Sequence, residues 1–254
     1  MPNLLDYGGN TSTKLLITGE SGAGKTSTIA SMVKAGYEVF VVDCDNGLGV
    51  LKEYLSPEEL TKVHYLPFRD KGDGKPKAWQ GVREALITRG WIDGAENFGK
   101  IDSWGPERVL VIDSLSFAGK YAINFVLNQN NQPLDARISP GEWGDAGRAV
   151  ENIIAHVTGE HIKCNVVVLT HLRYLEDESS GIVNAYPSCV GAALPTIIPR
   201  YFNDWFFIKR NKDGVPMLRT IPNGQMMLKG SRPKLLKAEM PADIGAILRA
   251  YEKV

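Results

Sequence analysis

The sequence predicts an α/β fold in which helices flank a mainly parallel central sheet. Three observations lead to this prediction: short apolar runs alternate with amphipathic segments over the first two thirds of the chain, a glycine-rich loop follows the first run, and turn signals crowd the last third. A chain of 254 residues that is 43% apolar can bury one sizeable core. We therefore expect a single domain that spans residues 1–254.

Five apolar runs have the length and composition of buried parallel strands. They are Lys14–Thr18, Glu38–Asp43, Val63–Phe68, Val109–Asp113 and Asn165–Thr170. Between these runs, apolar residues recur at intervals of three and four in Lys25–Ala35, Ala78–Thr88 and Glu142–Val157, which predicts the crossover helices. Two polar stretches, Asp70–Lys77 and Asn128–Pro140, are rich in Gly, Pro or Asn and are predicted to be loops.

The last third of the chain has short apolar and aromatic runs separated by turn signals. Asp-Gly at 213–214 and Asn-Gly at 223–224 are typical of hairpin turns, so residues 205–229 are predicted to form an antiparallel meander. We expect this antiparallel extension to cover about residues 203–232 and a closing helix to cover about 243–253.

The composition limits where the protein is expected to reside and which partners it is expected to bind. No stretch reaches the ~20 apolar residues of a membrane span, and the first residues lack the pattern of a signal peptide, so we expect a soluble cytosolic protein without a membrane partner. The cysteines have no metal-binding spacing and are predicted to be reduced core thiols: Cys44, Cys164 and Cys189. The formal charge is zero, but from Ile197 onward eleven Lys or Arg face five Asp or Glu, which fits either a solvated basic face or contact with nucleic acid.

The most specific motif is the glycine-rich loop after the first predicted strand. Its residues are predicted to hold the phosphates of ATP, and they are Gly19, Glu20, Ser21, Gly22, Ala23, Gly24, Lys25 and Thr26. The glycines let the backbone curl so that consecutive N–H groups point at an anion, at the positive end of the next helix. We expect Lys25 to reach the β- and γ-phosphates and the Thr26 hydroxyl to bind Mg²⁺. A strand before the loop and a helix after it are the context that this motif requires, so the sequence predicts a site for ATP and Mg²⁺.

Two carboxylates that follow predicted strands complete this site. Asp113 ends an apolar run and is expected to hold a Mg²⁺-bound water, although an aspartate in that position is also a common helix cap. Asp45 follows the strand after the first helix and is the candidate base that orients the attacking water. Because Asn46 and Gly47 come directly after it, a turn-forming role for Asp45 is the alternative.

In this order, the motifs resemble the RecA-like branch of P-loop ATPases. The resemblance implies a RecA-like P-loop NTPase core, with a mainly parallel central sheet and antiparallel C-terminal strands. The stretch from His171 through Ser188–Pro195 to Pro199–Asp204 is similar to small phage-encoded RecA-like proteins of the single-strand annealing group, called Sak-type. The resemblance covers about Lys14 to Arg232, and it implies ATP hydrolysis, single-stranded DNA binding and recombination in the host cytoplasm.

The resemblance also implies roles for single residues. Asp45 takes the place of the catalytic carboxylate, and His171 takes that of a polar residue that senses the γ-phosphate, where RecA has glutamine; a structural histidine is the alternative. Lys229 and Arg232 resemble a lysine and an arginine that relatives insert into the ATP site of a neighbouring subunit, which implies a homo-oligomer, either a ring or a filament. The family has one residue between the two cations whereas this chain has two, and a solvated basic hairpin is the alternative.

DNA contact in the relatives comes from loops after two central strands, which correspond here to about Ser116–Pro140 and Leu172–Gly191. Three side chains of the second loop are expected to offer cation and stacking surface: Arg173, Tyr174 and Tyr186. The acidic run Glu176–Glu178 would repel phosphates unless it faces away.

The leading hypothesis is therefore a RecA-like ATPase that oligomerises on single-stranded DNA and promotes annealing or recombination, with a single-strand-binding protein as a further candidate partner. The second hypothesis is an ATP-gated adaptor or loader for a helicase or recombinase. The third is a small-molecule or nucleoside kinase, which ranks last because no Arg-rich lid segment is evident after the fourth strand.

Overall fold

The computed structural model describes residues 12–72, 74–176 and 181–253. The strands, in chain order, are β1 (Lys14–Thr18), β2 (Glu38–Asp43), β3 (Val63–Pro67), β4 (Trp91–Asp93), β5 (Glu96–Gly99), β6 (Arg108–Asp113), β7 (Asn165–Thr170), β8 (Leu172–Glu176), β9 (Val183–Pro187), β10 (Asp204–Arg210), β11 (Pro216–Arg219) and β12 (Glu239–Pro241). The α-helices are α1 (Thr28–Lys34), α2 (Pro57–Leu60), α3 (Ala78–Arg83), α4 (Leu115–Gln129), α5 (Pro140–Thr158), α6 (Leu194–Ile197) and α7 (Ile244–Glu252).

Eight of the described strands form one sheet, in the order β12-β11-β10-β1-β7-β6-β2-β3. Every pair from β10 to β3 is parallel, whereas β10 pairs with β11 and β11 with β12 in antiparallel fashion. The five predicted strands are β1, β2, β3, β6 and β7, each within a residue of the expected bounds. The predicted architecture is confirmed: a mainly parallel sheet is flanked by helices and carries antiparallel strands toward the C-terminus.

Helices cover both faces of the parallel part of the sheet. Along β1, Leu16 belongs to the apolar cluster beneath α3, α4 and α5, whereas Leu15 and Ile17 belong to the cluster beneath α1 and α7. The strands between them are buried almost throughout. Burial on both faces explains why these strands have nearly continuous apolar sequences.

The predicted crossover helices are confirmed, with shifted ends. The first helix begins at Thr28 rather than Lys25, because residues 25–27 form the turns that leave the glycine-rich loop. The helix expected at 78–88 is α3 followed by a π-helical turn over Glu84–Thr88. The third begins two residues early, at Pro140, where Ser139 and Glu142 form a reciprocal capping box.

The expectation of a loop over Ser116–Pro140 is wrong for most of its length. Helix α4 occupies 115–129, and only 130–139 are irregular before α5. The buried face of α4 includes Ala118, Ala122 and Val126, which pack in the large apolar cluster. Its N-cap is Ser114, whose side chain makes no capping bond.

The C-terminal meander is only partly as predicted. β10 and β11 form a hairpin around the predicted turn at 213–214, but β10 is also a parallel neighbour of β1. The strand after β11 is β12 at 239–241, not the run that follows the Asn-Gly turn. That turn closes on itself through a bridge between Asn223 and Met226. Pro222, which has no amide N–H, disfavours further ladder pairing there.

Three further expectations can be compared with the described residues. The closing helix is confirmed as α7, capped by the Asp243 side chain. The cysteines are free, with Cys44 and Cys164 buried and Cys189 partly buried. Within the described ranges, no helix has the length and apolar character needed to cross a membrane.

Candidate functional site

The glycine-rich loop leaves β1 at the carboxyl edge of the sheet, and its glycines are required for different reasons. Gly22 and Gly24 have φ of 76° and 100°, in the left-handed region that favours glycine. Gly19 needs glycine for space, because an added Cβ would lie 2.5 Å from the side chain of Ile208 on β10. At Gly24 an added Cβ would also lie 2.8 Å from Pro216 at the start of β11. The loop is therefore packed beneath the β10–β11 hairpin.

Lys25 is buried inside this loop. Its ammonium donates hydrogen bonds to the carbonyl oxygens of Gly19 and Glu20, both at 2.9 Å. Burial lowers the pKa of Lys25, and the nearby carboxylates of Asp113 and Asp45 oppose that shift. The loop thus holds a cation on its own carbonyls, beside backbone that can receive an anion.

Asp113 and Thr26 lie together at the ends of β6 and of the loop. The Thr26 hydroxyl donates to Asp113 Oδ2 at 2.7 Å. The other oxygen, Oδ1, is buried and accepts no hydrogen bond within the described part of the chain. Burial raises the pKa of Asp113 to about 6. The cap of α4 is Ser114 rather than Asp113, so the capping alternative does not account for this carboxylate.

This pair of oxygens fits Mg²⁺. The ion prefers carboxylate, hydroxyl and water oxygens, and a metal-bound water would give the orphaned Asp113 Oδ1 a donor. Thr26 and Asp113 are the residues that would hold it. When bound, the ion supplies positive charge beside the β- and γ-phosphates.

Asp45 faces a cavity of about 190 Å³ whose lining also includes Lys25, Thr26 and His171. The turn after β2 is stabilised by Asp43 instead, since Asp43 Oδ1 accepts from the Asn46 N–H at 2.8 Å. The second oxygen of Asp43 pairs with Arg69. Among the described residues, none hydrogen-bonds to the Asp45 carboxylate. The turn-forming role that was the alternative for Asp45 is thus filled by Asp43.

His171 follows β7 and is linked to the first turn of α4, the helix after β6. Its backbone N–H donates to the Ser116 hydroxyl at 3.0 Å, and its ring Nδ1 lies 3.1 Å from the same oxygen. The Ser116 hydroxyl is also 2.9 Å from the Thr170 hydroxyl, which donates to the Ser188 carbonyl at 2.6 Å. Burial, followed by the charge of Lys25, lowers the pKa of His171. A neutral ring therefore faces the cavity at neutral pH.

The β8–β9 hairpin is attached to the site at two points. At its base, the Ser188 N–H donates to the His171 carbonyl at 2.7 Å. Along its first strand, the Tyr174 hydroxyl donates to Glu20 Oε1 of the glycine-rich loop at 3.0 Å. This region was expected to be a loop, and the hairpin was not predicted.

Arg210 is a site residue that sequence reasoning missed. It ends β10, lines the same cavity as Lys25, and donates from Nε to the Gly22 carbonyl at 2.7 Å. A basic residue at the end of an apolar run was visible in the sequence. What could not be inferred was that β10 lies beside β1.

Lys229 and Arg232 are not brought to this site. Lys229 pairs with Trp205 near the amino end of β10, and burial lowers its pKa. The Arg232 guanidinium lies 4.5 Å from the centre of the Tyr251 ring. Both cations are therefore far along the sheet from the glycine-rich loop of their own chain.

A phosphate-binding loop after β1, together with a buried aspartate on a strand separated from it by β7, defines a P-loop nucleoside triphosphatase. The chain belongs to the AAA domain family, whose family model matches residues 11–212.

Other comparisons are distant. No curated protein matches the chain. It is similar to a prototypical ATPase from the type III secretion system of pathogenic bacteria, with 13% identity over 94% of this chain and a TM-score of 0.48. The chain spans 61% of the length of that ATPase. It is also similar to the RadB recombinase, with 14% identity over 85% of each chain and a TM-score of 0.43.

Proposed function

We propose that this protein hydrolyses ATP with Mg²⁺ and couples hydrolysis to the binding of single-stranded DNA, as a homo-oligomer that promotes annealing or recombination. The observation that carries the proposal is the double attachment of the β8–β9 hairpin to the ATP site. One attachment runs through His171 and the other through Glu20. A site that needed only to hydrolyse ATP would not require either link.

The proposed roles in hydrolysis follow from the charge of each side chain and from its position around the cavity. Lys25 gives up its bonds to the loop carbonyls when the more strongly accepting phosphates arrive, and Thr26 and Asp113 hold the Mg²⁺. Asp45 has its carboxylate free of competing donors within the described residues and orients the attacking water. His171, neutral and facing the same cavity, donates to or accepts from the terminal phosphate and its water.

The coupling step follows from the shared hydroxyls. A change in the hydrogen bonds of His171 alters the position of Ser116, and through Thr170 the carbonyl of Ser188 at the base of the hairpin. A phosphate that binds to the loop also acts on the segment that carries Glu20, whose carboxylate accepts the hydrogen bond from the Tyr174 hydroxyl. Both routes shift the hairpin when the nucleotide changes.

The hairpin offers two different faces to DNA. Tyr174 is 52% exposed and is suited to stack on a base. Arg173 and Tyr186 are directly opposite each other across the two strands, and an Arg173 N–H donates to the Gly191 carbonyl. Glu176 is exposed on the face that carries Tyr174, so stacking rather than phosphate contact is the main contribution expected there. The remaining acids of this run, Asp177 and Glu178, lie outside the described residues.

Oligomerisation would bring in the distant cations. Lys229 and Arg232 cannot reach the loop of their own chain, which leaves a neighbouring subunit's ATP site as their proposed target. An added cation there would offset charge that develops on the transferred phosphoryl group.

The decisive experiment is ATP turnover with and without single-stranded DNA at several salt concentrations, together with sizing of the complex. We expect DNA to raise turnover and salt to weaken the effect, because phosphate contacts are screened. Nucleotide-dependent binding of a helicase or recombinase without DNA affinity would favour the adaptor instead. Phosphate transfer to a nucleoside without DNA dependence would favour the kinase.

A further inference from the structure

The β10–β11 hairpin forms one wall of the ATP site. Its strand β10 ends at the same edge of the sheet as β1, and its side chains touch both ends of the phosphate-binding loop. Ile208 leaves no room for a Cβ at Gly19, and Pro216 leaves none at Gly24. Arg210 lies between these two contacts in the sequence, so its backbone is fixed beside the loop.

The strands of this hairpin carry three basic residues, which have different partners. Lys209 and Arg219 both form ion pairs with Glu239 on β12, at 2.8 and 3.1 Å. Arg210 forms no ion pair within the described residues. Its Nε and Nη1 instead donate to the carbonyls of Gly22 and Gly214. A guanidinium has five N–H donors, so two bonds orient it and leave the others available.

Two cations therefore enter one cavity from opposite elements. Lys25 comes from the phosphate-binding loop and Arg210 from the end of β10, and each donates to carbonyls of that loop. Carbonyl oxygens are weaker partners for these cations than phosphate oxygens. The planar fork of an arginine also matches two phosphate oxygens at once, which a lysine does not.

We propose that Arg210 binds the phosphate chain of the nucleotide held by the P-loop of its own subunit, as a second cation beside Lys25. This inference deepens the proposed ATPase site and rests on it, but it does not depend on DNA. It differs from the role of Lys229 and Arg232, which would act on a neighbouring subunit.

The first test is the affinity for a fluorescent ATP analogue, measured with Mg²⁺ by equilibrium titration. Arg210→Ala should weaken binding about 10- to 100-fold, as expected for loss of a charge-assisted hydrogen bond, and Arg210→Lys should lose less. Arg219→Ala is the matched control, because it removes an arginine from the same hairpin outside the cavity. Equal affinities for Arg210→Ala and the control would overturn the proposal. Melting temperatures of the variants check that each is folded.

The second test distinguishes action within a subunit from action between subunits. Lys25→Ala protein keeps Arg210 but has a defective site, whereas Arg210→Ala protein has the opposite defect. Mixed at equal concentration, the two should hydrolyse ATP no faster than the sum of the separate proteins. Recovery of turnover in the mixture would show that Arg210 serves a neighbour and would overturn the proposal.

These readouts separate this inference from the proposed function. Wild-type protein that bound ATP without hydrolysing it, or that ignored DNA, would contradict the proposed function, and the affinity comparison would still decide the role of Arg210.

Discussion

The two ends of the central sheet each bury a lysine and an aspartate, but the hydrogen-bond partners of these charged groups differ between the ends. At the amino end, Lys14 donates to the carbonyls of Ile162 and Cys164 at 3.0 and 2.8 Å. Asp204 in the same region accepts from the Ser231 N–H at 2.6 Å, from the Ser231 hydroxyl, and from the Tyr251 hydroxyl at 3.1 Å. These buried groups have their partners within the fold.

At the carboxyl end, the buried aspartate and lysine can still accept or donate further hydrogen bonds. Within the described part of the chain, Asp113 has one buried oxygen without a donor, and Lys25 donates only to carbonyls of its own loop. Because an unsatisfied buried polar group costs free energy, such a group points to a partner that arrives from outside. The comparison predicts that changes at the carboxyl end affect turnover, whereas changes at the amino end affect stability.

The largest expected effect is on turnover, at Lys25. Lys25→Ala should lower kcat by at least ~100-fold, because a preorganised cation at the phosphates is removed. The matched variant at the other end, Lys14→Met, should retain turnover in its folded fraction and lose about 1–3 kcal/mol of unfolding free energy, since two buried carbonyls lose their donor. Steady-state ATPase assays and urea unfolding measure both. Similar loss of kcat in the two variants would remove the distinction between the ends.

A second pair compares the aspartates. Asp113→Asn should lower Mg²⁺-dependent turnover by about 10²-fold or more, by weakening the metal site. Without Mg²⁺ it should gain about 1–3 kcal/mol of unfolding free energy. The reason is that the folded-state pKa of about 6 lies above the ordinary 3.8, so the ionised carboxylate is costly at neutral pH. Burial also raises the pKa of Asp204, but donors from Ser231 and Tyr251 oppose that shift, so Asp204→Asn should gain less stability than Asp113→Asn. Calorimetry without Mg²⁺ compares the two changes.

A third expectation concerns pH and the amino end alone. Burial lowers the pKa of Lys14 to about 8 from 10.5. Between these values the unfolded state binds more protons, so the contribution of Lys14 to the free energy of unfolding rises with pH. Relative to Lys14→Met, the wild type should gain about 1–3 kcal/mol from about pH 7 to about pH 10. Burial raises the pKa of Cys164 to about 11, which keeps this neighbour neutral in that window. Parallel stability curves for the two proteins would contradict this account.

The smallest expected effect is at the hairpin. Tyr174→Phe removes the hydroxyl bonded to Glu20 and should lower the stimulation by single-stranded DNA by about 2- to 10-fold, a loss typical of one hydrogen bond. Tyr251→Phe removes a hydroxyl bonded to Asp204 at the other end and should change stability instead. The ratio of turnover with DNA to turnover without it is the quantity to compare. Equal ratios in the two variants would remove Tyr174 from the coupling route.

The sequence predicted which residues lie at the carboxyl end of the sheet better than it predicted the elements that surround them. Parallel strands bring their carboxyl ends to one edge, so Asp45, Asp113 and His171 could be expected near the P-loop once the strands were identified. Arg210 could not be placed, because hairpin turns predict the pairing of β10 with β11 but not that with β1.

The remaining differences also have local causes. Helix α4 has no side-chain capping bond, and most of its length was predicted to be a loop. Its apolar face nevertheless packs in the core. The ties of Ser116 and Tyr174 to the site depend on tertiary contacts between segments more than fifty residues apart. No local pattern encodes such contacts.

The most direct test of coupling between the ATP site and the hairpin is the Kd for labelled single-stranded DNA, measured with MgATP and without nucleotide. If MgATP shifts the hairpin as proposed, thermodynamic linkage requires the hairpin to bind DNA with a different affinity in the two states. We expect MgATP to change the Kd by about 5-fold or more, and Lys25→Ala to remove the change. The same Kd with and without MgATP would contradict the account.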